Sequence, residues 1–86
     1  MAEPKQILVE MQSRLAHLQD IHNSQVALNE KIAGLQMELL ERPDQELDKG
    51  LGTALSNASK NAEIIGDLAH DYEIRINKFK SENDLV

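Results

Sequence analysis

Three histidines and their acidic neighbours are the residues of this chain best suited to chemistry. His17 and His22 stand five apart, so they do not share a helix face as an i, i+4 metal-binding pair does. His70 is better placed. Asp67-x-x-His70 is an acid-to-histidine spacing used in helical metal sites, with Glu63 one turn before it. If the chain folds back at its midpoint, His70 comes level with His17, and Asp20 with Asp67. His17, Asp67 and His70 are therefore the ligand-binding candidates. A carboxylate–histidine site needs enclosure and supporting hydrogen bonds. These residues lie off the apolar positions, on what reads as a solvated face, so no metal and no cofactor is expected.

The remaining reactive groups fit no catalytic arrangement. Glu38-x-x-Glu41 resembles the paired acids of helical nucleotide pyrophosphatases, but the complementary Glu-x-x-Asp is missing. Glu63 and Asp67 have the wrong spacing and lie several turns down the opposite arm. No glycine-rich phosphate loop and no ordered Ser, His and acid set appears. Cysteine is absent, which removes thiolate nucleophiles, disulfides and cysteine-based zinc sites together and suits a reducing compartment. The chain is not expected to be an enzyme.

Composition narrows the partners. A formal net charge of −6 opposes binding to the nucleic-acid backbone, which needs a basic stripe, and to anionic membrane surfaces. The acids Glu38, Glu41, Asp44, Glu46 and Asp48 cluster at the midpoint rather than along one strip, which argues against mimicry of a phosphate row. No apolar run approaches the ~18–20 residues that span a bilayer. The opening Met1-Ala2-Glu3-Pro4-Lys5 lacks the basic and apolar blocks of a signal peptide. A cytoplasmic protein is expected, with neither nucleic acid nor membrane as partner.

The elements that position these residues are helices. Arg42-Pro43-Asp44 lies at the midpoint of 86 residues, and proline both lacks a helix-continuing amide and clashes with the preceding turn. The spacing predicts helix 1 over about 4–41, a turn at about 42–44 and helix 2 over about 44–81. Gly50-Leu51-Gly52-Thr53 offers a possible break, with Thr53 capping a new helix, and residues 82–86 are expected to fray. In the first arm Leu8, Met11, Leu15 and Leu18 form a three–four ladder. It continues through Ile21, Leu28, Ile32, Leu35 and Leu39, with Gln25 in one position. The repeated three from Leu18 to Ile21 reads as a stammer. The second arm has no fault: Leu51, Leu55, Ala58, Ala62, Ile65, Ala69, Tyr72, Ile76 and Phe79 alternate steps of four and three.

Folding the arms about residue 43 brings Phe79 beside Ile7 and Leu8, Tyr72 beside Leu15, Ile65 beside Ile21 and Ala58 beside Leu28, so large residues face apolar ones and alanine faces leucine. Gly34 and Gly66 read as points of close helix approach. The expected fold is all-α, an antiparallel two-helix hairpin of coiled-coil type. With one internal interface, one tyrosine, one phenylalanine and no tryptophan, such a hairpin is expected to complete a four-helix or larger bundle by self-association, a dimer being favoured.

Apolar residues are left over. Val26, Ala33, Met37 and Leu40 form a second stripe on the first arm, roughly 100–160° around from Leu28 and Leu35 at ~100° per residue. Ile64 and Ile74 form a weaker patch on the second. These six are the expected partner or oligomer interface. The function that follows is a non-enzymatic protein-interaction module (adaptor, chaperone, scaffold or inhibitor) that binds itself and another protein. The alternative is a small-molecule or metal-ion binder whose site forms at an oligomer interface.

Overall fold

The structure, a computed structural model, describes residues 3–85. Met1, Ala2 and Val86, which entered the readings of the chain's start and tail, lie outside the described residues. Two helices, α1 (Pro4–Glu38) and α2 (Gln45–Glu82), fold against each other as a hairpin 60 Å long and 21 Å by 14 Å across.

Each helix end has a local cause. Pro4 opens α1 at a position where its missing amide costs nothing. The helix closes at Glu38, three residues short of the expected 41. Leu39, Leu40 and Glu41 donate their amides to Gln36, Met37 and Glu38, three residues back, which tightens the last turn and directs the chain into the bend before Pro43. Asp44 caps α2: its Oδ1 accepts from the Leu47 amide at 3.0 Å, with Glu46 and Asp48 in the first turn suiting the helix dipole. Asp44→Ala should therefore lower stability by about 1 kcal/mol in urea titration, while Asp44→Asn, which keeps an acceptor, should lose little. Equal losses in the two variants would show that the cap bond contributes nothing.

No break occurs at Gly50–Thr53. The helix is continuous there, and the Thr53 hydroxyl donates to the Lys49 carbonyl one turn back (3.3 Å) instead of capping a new start. The end of α2 is capped where fraying was expected. Asp84 takes the left-handed conformation (φ 53°), and Leu85 donates to the Lys80 carbonyl at 2.9 Å. That six-to-one bond is the Schellman closure, and it leaves Leu85 half-buried.

The register is fixed by contacts along the hairpin. Asn61 Nδ2 donates to Gln25 Oε1 at 3.0 Å. The His22 ring lies 3.1 Å from where a Gly66 Cβ would stand, and the Gln36 amide 3.8 Å from that of Gly52. Paired residue numbers thus sum to 86 or 88, as folding about residue 43 requires. Gly66 is a point of close approach, but nothing lies within 4 Å of a Cβ at Gly34, which is exposed.

The seam of α2 is the one expected from its spacing: all nine positions from Leu51 to Phe79 are buried or half-buried. The seam of α1 differs from expectation in its second half. Past Leu18 it continues as His22, Gln25, Asn29, Ile32, Gln36 and Leu39, an unbroken alternation of three and four. There is no stammer, and Ile21, Leu28 and Leu35 are displaced to the flank. A helix packed against a fault-free heptad row keeps its own phase, because overwinding at one step would rotate every later residue out of register. Amides make this phase tolerable: Gln25 Nε2 donates to Asn29 Oδ1 (3.1 Å) while Gln25 Oε1 accepts from Asn61. The most deeply buried apolar side chains among the described residues, Met11, Ala62 and Ile76, accordingly lie from the middle of the hairpin towards its open end.

Candidate functional site

At ~100° per residue, the rows beside each seam define two broad faces of the hairpin. Asn61 meets Gln25 on the side of α1 that carries Leu28. Gly52 and Gly66 meet Gln36 and His22 on the side that carries Val26. One broad face therefore combines Ile21, Leu28 and Leu35 of α1 with Leu47, Ala54, Asn61 and Leu68 of α2, and Ile64 at its rim. The opposite face combines Val26, Ala33 and Leu40 with the small row Gly52, Ser59 and Gly66.

The first face is the more apolar and uses both helices. Its large aliphatic side chains are 38–57 % exposed, from Leu35 at the low end to Ile64 at the high end. Full burial of a Leu or Ile stabilises by about 1.5–3 kcal/mol, so each of these residues forgoes roughly half of that in the isolated hairpin. Towards the open end the same face becomes basic: Arg75 stacks over the Tyr72 ring at 5.0 Å, and the Arg14 guanidinium lies beside the Tyr72 hydroxyl. That contact with the phenol oxygen raises the Arg14 pKa above its usual value, and Arg14 stays fully charged at any physiological pH.

The six expected interface residues are separated by the fold. Val26, Leu40 and Met37 are exposed and Ala33 half-buried; they follow one another along the second face and its outer edge, with Met37 (68 %) and Leu40 (79 %) beside the turn. Ile64 lies on the opposite broad face. Ile74 lies on the outer surface of α2, so the two isoleucines do not form one patch. Sequence reasoning misses the exposure of Ile21, Leu28 and Leu35, which the expected ladder puts inside. A strict continuation of the alternation from Leu18 would have found them.

The ligand-binding candidates are not assembled. His17, Asp67 and His70 are all exposed, with His17 on the rim of the Leu28 face and Asp67 and His70 on the outer surface of α2. Among the described residues no three His, Asp or Glu side chains come together as a metal-binding group. Surface depressions are open grooves, such as the one between Lys5, Leu8, Val9, Asp84 and Leu85 at the open end. No described helix is long and apolar enough to cross a membrane. Comparison with family models, curated proteins and solved structures found no match.

Proposed function

We propose that this chain is a non-enzymatic protein-interaction module that works as part of an oligomeric helical bundle and offers an exposed apolar stripe to another protein. One observation carries the reading. Among the described residues three apolar side chains are buried, while eleven large ones are exposed. An α1 seam that turns partly polar towards the bend, with aliphatic rows left outside, is the reverse of what a self-sufficient monomer needs, and it is what a component of a larger bundle presents. A chain without cysteine suits a cytoplasmic setting.

The stripe beside the turn is the contact offered to another protein. Met37 and Leu40 are its most exposed members, and an unbranched methionine adapts to irregular partner surfaces. Met37→Asp combined with Leu40→Asp should abolish capture of that protein from an extract of the source cell, while the circular-dichroism spectrum stays fully helical. Both residues stand clear of the seam, so the variant should fold. Undiminished capture by this double variant would sink the proposal.

A further inference from the structure

We propose that the Leu28 face is covered by a second copy of this chain, packed antiparallel about a two-fold axis near Leu28. This deepens the reading above by assigning the self-contact to one face and leaving the Val26–Leu40 side free for another protein.

Self-complementarity of the face comes first. On α1 the row Ile21, Leu28, Leu35 is centred on Leu28. On α2 the row from Leu47 to Leu68 is centred between Asn57 and Ala58. The pairing of Gln25 with Asn61 puts that centre level with Leu28 and Asn29, and the pairing of His22 with Gly66 puts it level with Glu30 and Lys31. The two rows thus share a midpoint to within about two and a half residues, or ~4 Å. A two-fold axis there, lying in the face and crossing the long axis, sets Ile21 against Leu35 of the second copy. Leu28 meets its own counterpart, and Leu47 meets Leu68.

Charge selects the orientation. Arg14 lies fourteen residues before Leu28, about 21 Å along the helix, and Arg75 lies beside it across Tyr72. An equal distance beyond Leu28 is the turn, where Glu38, Glu41, Asp44, Glu46 and Asp48 outnumber Arg42 and Lys49. Antiparallel packing therefore lays the arginine pair of each copy on the acidic turn of the other. Parallel packing would set arginine against arginine and acid against acid, a like-charge arrangement that interfaces avoid.

The area is sufficient. The apolar rows run from Leu47 to Leu68, roughly 32 Å along the helix, on a body 21 Å wide. That gives roughly 1,300 Å² over both copies, within the ~1,200–2,000 Å² of stable interfaces.

The absence of other cysteines makes the test direct. In the otherwise intact chain, Leu28→Cys under mild oxidation should form a covalent dimer with itself. Leu35→Cys should not, but should cross-link to Ile21→Cys in a mixture of the two. By light scattering the native chain should be a dimer. Leu28→Asp should raise its dissociation constant at least about thirtyfold while leaving it helical. Arg14→Glu with Arg75→Glu should raise it about tenfold at low salt and less at high salt. A chain monomeric at every reachable concentration overturns the proposal, leaving the Met37 and Leu40 capture experiment to judge the interaction-module reading on its own. A dimer that cross-links through Ala33→Cys and not through Leu28→Cys also overturns it, while self-association stands.

Discussion

Ile76→Ala should lower the stability of the hairpin by about 2–5 kcal/mol, the usual cost of truncating a buried isoleucine. Ile76 is the most deeply buried of the apolar core residues, at 4 % exposure, and stands level with Met11, the buried residue of α1. There are few other places to recover the loss, since among the described residues only Met11 and Ala62 join it in the buried apolar core. Small domains hold roughly 5 kcal/mol or somewhat more in total, so the variant should be partly unfolded at room temperature. The midpoint of urea unfolding, read at fixed protein concentration, measures the effect. Ile74→Ala is the control: two residues away on the outer surface, it should change stability by less than about 0.5 kcal/mol. Similar losses for both isoleucines would mean that α2 does not present Ile76 to α1.

Asn29→Leu combined with Gln36→Leu should do the opposite. Both positions lie half-buried in the seam of α1, opposite the small residues Ala58 and Gly52. Leucine at each would add apolar burial worth about 1 kcal/mol at partial exposure, and it is a better helix former than asparagine. Removing Asn29 deprives the Gln25 amide of one acceptor, but Gln25 is half-exposed and can turn to water, so that loss is small. A net gain of about 2 kcal/mol should raise the thermal midpoint by roughly 8–16 °C in a domain of this size. An unchanged or lowered midpoint would show that Leu28 and Leu35, not Asn29 and Gln36, face α2.

That second experiment bears on the one element that sequence reasoning misplaced. In α2 one row is apolar without interruption. Its neighbours on one side, Gly52, Ser59, Gly66 and Glu73, are small or charged, and the row on the other side, from Leu47 to Leu68, is interrupted by Asn61. One phase of the helix is then far better than any other, and the spacing shows it. In α1 beyond Leu18 two rows compete. Ile21, Leu28 and Leu35 are aliphatic, while His22, Asn29 and Gln36 next to them are polar. Choosing the most apolar row at each turn requires a stammer; keeping the phase of Leu8 to Leu18 does not. The candidate interface was legible to the same degree. Val26, Met37 and Leu40 stood outside either choice, whereas Ile21, Leu28 and Leu35 became surface only once the phase was settled.

The sequence by itself determined the two helices, the bend before Pro43, the antiparallel register and the inward face of α2. Those depend on local propensity, on proline's missing amide and on a periodicity without rivals. The tertiary structure alone decided which side of α1 turns inward near the bend. A helix with two usable faces has two rotational phases of similar local energy, and its own residues cannot rank them. The choice was made by partners distant in sequence: the unbroken α2 row, the Asn61 amide that meets Gln25, and the open space at Gly66 that admits the His22 ring.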